Sequence, residues 1–132
     1  MKKYKGYLAW DFDAVLATYK RPFVFDKLGK PNKEVIETIR YYYNSGYYIL
    51  IFTGRMCTPK IQNWLKKYKV PYHGFNIQPQ NLSLASRFKP YYDLIVDDKA
   101  YNYHFKHNAQ TKEEMIKGID IVLKWSKEGK DE

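Results

Sequence analysis

The chain has 132 residues, enough for one domain with a single core and too few for two. Hydrophobic residues make up 45% and charged residues 28%, an ordinary globular balance, and no apolar run approaches the roughly 20 residues that a membrane span requires. The formal charge of +9 points to an acidic or phosphorylated partner, nucleic acid foremost, although AT-rich coding also enriches Lys, Asn, Tyr and Ile without functional cause.

The basic start, Met1-Lys2-Lys3-Tyr4-Lys5, leads into an apolar stretch that breaks at Asp11, too early for the core of a signal peptide. A single Cys57 excludes an internal disulfide and fits a reducing compartment, so a cytoplasmic location is expected. Tyr7 to Phe12 reads as a buried strand. It ends in two carboxylates, Asp11 and Asp13, which strand alternation sends to one side. Asn32 can cap a helix reaching about Asn44, with Val35, Ile36, Ile39, Tyr42 and Tyr43 at helical spacing and Gly46 suited to end it.

Tyr47 to Phe52, "YYILIF", is a continuous apolar strand of the kind found where a sheet is covered on both faces. Thr58 and Pro59 open a second helix as N-cap and first helical residue, with Ile61, Trp64, Leu65 and Tyr68 as its apolar stripe. Short strands fit Phe75 to Gln78 and Asp93 to Val96, the latter running into Asp97-Asp98. Thr111-Lys112-Glu113-Glu114 is a capping-box pattern ahead of a last helix with Met115, Ile119, Val122 and Trp125 on one side. Strands alternating with helices predict a parallel α/β sheet with helices on both faces, forming one domain over residues 1–132.

Ligands of open parallel sheets bind beyond the carboxyl ends of the strands. Three predicted strands end in polar residues there: Asp11 and Asp13, then Thr53-Gly54-Arg55, then Asp97 and Asp98, with Lys89 just upstream of the third. Phosphoryl transfer would use such a set. A carboxylate can attack phosphorus, and a divalent cation with oxygen ligands offsets the negative charge. A hydroxyl and an ammonium can hold the remaining phosphate oxygens, over which charge spreads in the transition state.

The order of these parts resembles the haloacid dehalogenase-like phosphatase superfamily. "WDFDAVL" is similar to its first motif, "ILIFTGR" to the second, Lys89 in "RFKPYYD" to the third, and "DLIVDDKAYN" to the acidic fourth. The resemblance spans roughly Tyr7 to Asn102 and implies a Rossmann-like sheet. It implies that Asp11 is the nucleophile and that Asp13 is the general acid and base. It makes Asp11, the backbone carbonyl of Asp13, and Asp97 the ligands of Mg²⁺, with Asp98 a further ligand or an outer partner. Thr53 and the amide of Gly54 would hold phosphate, and Lys89 would neutralise it and orient Asp11.

Two positions depart from the family pattern: Ala14 stands where Gly is frequent, and Val15 where Thr is frequent. Ala14 is strained only if its backbone demands a positive φ. Between Asp13 and the first helix lie about 18 residues, too few for a folded cap, so a capless enzyme with an open site is expected. Such a site admits large phosphorylated substrates, including nucleotides and nucleic-acid ends, unless association with a second copy closes it. The alternative is a catalytically weak module of the same fold that binds nucleic acid through its basic surface.

The remaining residues carry simpler readings. His73, His104 and His107 lack partners at zinc-ligand spacing and read as surface histidines. Cys57 lacks the sequence neighbours of a nucleophile, and Arg55 reads equally as a phosphate contact or a solvated strand end. Tyr41, Tyr42, Tyr43, Tyr47 and Tyr48 fall in a helix and a strand and are expected to be mostly core. Lys60, Lys66, Lys67 and Lys69 are expected on a solvated helix face.

Overall fold

The computed structural model describes residues 3–18, 28–54, 58–76, 92–97 and 111–130. Its elements run β1 (Tyr7–Asp11), α1 (Lys33–Asn44), β2 (Tyr48–Phe52), α2 (Thr58–Lys67), β3 (Gly74–Phe75), β4 (Leu94–Val96) and α3 (Lys112–Lys130). The strands form one parallel sheet in the order β3-β2-β1-β4, so the chain is a Rossmann-like α/β fold as expected. The reversal of strand order beside β1 makes its carboxyl end the place where a ligand would sit.

Register explains the composition of the strands. Tyr7 pairs with Tyr48, Ala9 with Leu50, and Asp11 with Phe52, so these side chains share one face. Ala9, Tyr48 and Leu50 are buried there as a small cluster beside Tyr4, Tyr7, Tyr92 and Ile95. On the other face Leu8, Trp10, Ile49, Ile51 and Val96 join Val35, Ile39 and Tyr42 of α1, Ile61 and Leu65 of α2, and Met115 and Ile119 of α3. Full burial of each large side chain in this core contributes roughly 1.5–3 kcal/mol. The three described helices all contribute to this second face, so among the described residues the expectation of helices on both faces is met on this one alone. Trp10 is fully buried, and its Nε1 has no hydrogen-bond partner among the described residues.

Local chemistry sets the helix ends. The Asn32 side chain accepts from Val35 N at 3.5 Å, and Gly46 takes φ 96° just past α1. Thr111 accepts from Glu114 N at 3.2 Å, the first bond of the capping box, while Glu114 Oε1 accepts from the Thr111 hydroxyl at 3.2 Å. Glu34 of α1 adds a second cap to α3, accepting from Lys112 N at 2.6 Å. Arg40 of α1 donates to the carbonyls of Tyr68 and Lys69 just past α2, where Lys69 turns with φ 55°. Tyr42, 1% exposed, donates to Asp120 at 2.7 Å and to the Ile116 carbonyl at 3.2 Å, tying α1 to α3.

Four expectations shift. The apolar stripe of α3 runs through Met115, Ile116, Ile119 and Leu123, whereas Val122 is 42% exposed, past the Tyr42–Asp120 tie. Thr58 is the first residue of α2 rather than the residue before it. β3 begins at Gly74 and stops at Phe75, because Asn76 adopts φ 55° and leaves the extended conformation. His73 is half-buried rather than a surface residue. It stacks on Tyr43 and Tyr48 at centroid distances of 4.5 and 5.1 Å, and its Nδ1 accepts from Ile49 N at 3.0 Å. No helix among the described residues is long and apolar enough to cross a membrane.

Candidate active site

Three strand ends carry the polar residues singled out above. Asp11 closes β1 in the middle of the sheet, and its Oδ1 accepts from the Phe12 amide at 2.8 Å. Thr53 and Gly54 follow β2 on one side of it. Asp97 follows β4 on the other, one residue beyond Val96, which pairs with Trp10; the ladder thus sets Asp97 level with Asp11. Lys89, Asp98, Arg55, Cys57, His104 and His107 lie outside the described residues.

Beyond Asp11 the chain makes a tight turn. Ala17 N donates to the Phe12 carbonyl at 3.0 Å, and Ala14 N to the Ala17 carbonyl at 2.8 Å. Ala14 sits in this turn at φ 64°, the left-handed region where an alanine Cβ crowds the backbone. This is the conformation for which Gly is suited, so the departure noted from the sequence carries a conformational cost. Phe12 is fully buried against Trp64 of α2, with ring centroids 4.9 Å apart. That contact holds one residue of the turn in the core, between Asp11 and Asp13. After the turn, Thr18 N donates to the Lys30 carbonyl and Asn32 N to the Leu16 carbonyl, both at 2.8 Å, so the excursion before α1 returns beside its start.

The second strand end is built differently. The Thr53 side chain is buried, at 6% exposure, whereas Gly54 is exposed, and a Cβ placed on Gly54 would meet no described residue within 4 Å. An exposed glycine next to a buried hydroxyl residue suits the close approach of an anion to the backbone. Asn76, which the sequence reading did not single out, holds Thr53 from the side. Its Oδ1 accepts from Thr53 N at 2.8 Å, and its Nδ2 donates to the Thr53 carbonyl at 3.0 Å.

Among the described residues no group of three His, Cys, Asp or Glu side chains gathers closely enough to hold a metal ion. Concavities of about 300 Å³ beside Glu37, Arg40 and Lys112, and of about 430 Å³ beside Gln62, Asn63 and Lys66, lie away from the strand ends. What distinguishes the strand-end edge is its chemistry rather than its depth. Lys60, Lys66, Lys67 and Lys69 of α2 and its C-terminal turn are exposed, as expected.

The fold and this edge define the class: a parallel α/β domain with carboxylates, a buried threonine and an open glycine at the carboxyl ends of adjacent strands. No protein-family model matches the chain, and no curated protein matches it. Among solved structures it is similar to a conserved protein from Bacteroides thetaiotaomicron, at 16% identity and a TM-score of 0.60, over 72% of this chain and 77% of that one. It is also similar to a protein from Vibrio cholerae, at 21% identity and a TM-score of 0.51, over 90% and 97% of the two chains. At these identities the likeness establishes the fold alone. A chain of an RNA repair complex matches at 17% identity over 59% of this chain and 27% of that one, and its TM-score of 0.48 is too low to bear on fold or function.

Proposed function

We propose that the chain is a Mg²⁺-dependent phosphatase of the haloacid dehalogenase type, acting through an aspartyl-phosphate at Asp11. The observation that carries this reading is the register that brings Asp11, Thr53 and Asp97 to the ends of three adjacent parallel strands, β1 between β2 and β4. An Asp11 oxygen attacks phosphorus while the bond to the leaving oxygen breaks, and Asp13 gives that oxygen its proton. Asp13, now a carboxylate, takes a proton from water, which attacks the aspartyl-phosphate and releases inorganic phosphate. Thr53 and the Gly54 amide hold phosphate oxygens. Lys89, where the resemblance puts an ammonium, neutralises them and orients Asp11.

The donor set suits Mg²⁺ in kind. Asp11 and Asp97, level across the β1–β4 ladder, would supply two carboxylates, the Asp13 carbonyl would be a third oxygen, and Asp98 would be a fourth or an outer partner. Mg²⁺ is commonly held by one or two carboxylates and keeps several waters, so three clustered acids are not required. When bound, the cation would offset the charge of Asp11 and phosphate together.

The charge of +9 and the exposed lysines of α2 favour nucleotides or nucleic-acid ends as substrates. The test is release of phosphate from an aryl phosphate in the presence of Mg²⁺, followed by a panel of sugar phosphates, nucleotides and end-phosphorylated oligonucleotides. Activity should vanish with a chelator and in a folded Asp11→Asn variant. A variant as active as the parent would overturn the role of Asp11. The same lysines support a second reading, a nucleic-acid-binding module with little catalysis. It requires salt-sensitive binding to DNA or RNA by a protein that releases no phosphate from any member of the panel.

A further inference from the structure

We infer that Asn76 is a positioning residue that sets the phosphate-holding loop at Thr53 and Gly54; this rests on the phosphatase reading above. β3 pairs with β2 through only two residues, Gly74 with Leu50 and Phe75 with Ile51. Asn76 N then donates to the Ile51 carbonyl at 2.8 Å, and there the chain turns away with φ 55°. The next rung of the ladder is made by a side chain. The Asn76 carboxamide accepts from Thr53 N and donates to the Thr53 carbonyl, replacing the acceptor and the donor that two successive peptide groups of an extended β3 would present.

Two features make this more than strand pairing. Asparagine is among the residues that best tolerate the left-handed region, so the backbone can depart while the side chain stays in the ladder. Fixing both backbone polar groups of Thr53 also fixes the direction of its Cα–Cβ bond and how the peptide to Gly54 is oriented. In a trans peptide so oriented the Gly54 N–H points opposite to the Thr53 carbonyl, away from Asn76. A phosphate-binding loop held this way is ordered before substrate arrives, which preserves the alignment that phosphoryl transfer depends on. Aspartate would keep the acceptor but lose the donor to the Thr53 carbonyl. Glycine would keep the backbone turn and lose both bonds.

The experiment uses the full chain, ¹⁵N-labelled, with inorganic phosphate as the probe and the Thr53 and Gly54 amides as the readout. Steady-state turnover of an aryl phosphate with Mg²⁺ is measured in parallel. In the parent both amides shift on addition of phosphate. In Asn76→Gly phosphate affinity and turnover each fall about tenfold or more, the scale expected when reacting groups are misplaced by about an ångström. Tyr42→Phe, which loosens the α1–α3 tie far from the loop, serves as the stability control and leaves phosphate affinity within about twofold. Asn76→Asp is the second variant if the glycine form is poorly folded, and it too binds phosphate more weakly than the parent. Parent-like affinity and turnover in either folded Asn76 variant overturn the positioning role. Silent amides in the parent overturn the phosphate-site reading, and the role of Asn76 falls with it.

Discussion

Removing His73 should destabilise the fold by an amount that its contacts allow to be divided. The Nδ1 of His73 accepts from Ile49 N at 3.0 Å, and Ile49 is fully buried, so truncation leaves a buried N–H without its acceptor. That loss costs about 1–3 kcal/mol. The imidazole also stacks on Tyr43 and Tyr48 at interplanar angles of 15° and 19° and meets Tyr4 edge-on at 4.9 Å. Aromatic contacts of this kind contribute roughly 0.5–1.5 kcal/mol each. His73→Ala should therefore lower the unfolding free energy by about 2.5–7.5 kcal/mol, whereas His73→Phe keeps the ring contacts and should lose only about 1–3 kcal/mol. Urea denaturation of the parent and both variants measures the two terms. A phenylalanine variant as stable as the parent would refute the acceptor role, and equal losses in the two variants would refute the contribution of the rings.

Other consequences follow from single positions. Ala14 lies at φ 64°, where an L-residue is strained by roughly 1–2 kcal/mol, so Ala14→Gly should melt no lower than the parent and β-branched Ala14→Val clearly lower. The reverse order of melting temperatures would show that this turn does not hold a positive φ. At Gly29 a Cβ would collide with the Thr18 carbonyl oxygen, and the Gly29 carbonyl accepts from Trp64 Nε1 at 2.9 Å. Gly29→Ala should cost about 1–3 kcal/mol by overpacking and shift the Trp64 indole proton resonance; an unchanged resonance would refute that packing. Burial first, then the hydrogen bond to Asp120, holds the Tyr42 hydroxyl above its ordinary pKa of 10.0, and burial does the same for Tyr47 and Tyr48. Folding therefore favours the protonated phenols, and this stabilisation is complete below about pH 10 and lost as the pH rises through the folded-state values. Thermal melts from pH 8 to 12 should show that alkaline loss, and Tyr42→Phe should blunt it.

The sheet was legible because a parallel strand buried in a core is a run of apolar residues and the helices between carry a 3.6-residue period. "YLAW" and "YYILIF" announce β1 and β2, and Asn32 and Thr111 mark helix starts by side chains that cap them. In the stripe of α3, Met115 and Ile119 were read correctly and Val122 stood one residue away from Leu123. Periodicity fixes a face within an angle, and α1, through Tyr42 and Glu34, decides which part of that face is covered. The edge strand β3 was the least legible. With two residues paired it has no period to read, and a histidine beside a glycine resembles any loop residue.

The strand-end chemistry was legible for a related reason. At Asp11, Thr53 and Asp97 the sequence switches abruptly from apolar to polar, and in a parallel sheet every such switch falls on the same edge. The supports of that edge were not legible, because they are side chains replacing backbone rungs across gaps in sequence. His73 takes the N–H of Ile49 at one end of β3, and Asn76 takes both polar groups of Thr53 at the other. Extending β3 by backbone alone would supply the same bonds but would carry the chain straight on alongside Thr53 and Gly54. Ending the strand at Phe75 and finishing the ladder with a carboxamide lets the backbone turn aside at Asn76 while Thr53 stays fixed. A short strand completed by side chains thus fixes the end of β2, which is what the phosphate-holding role proposed for Thr53 and Gly54 would require.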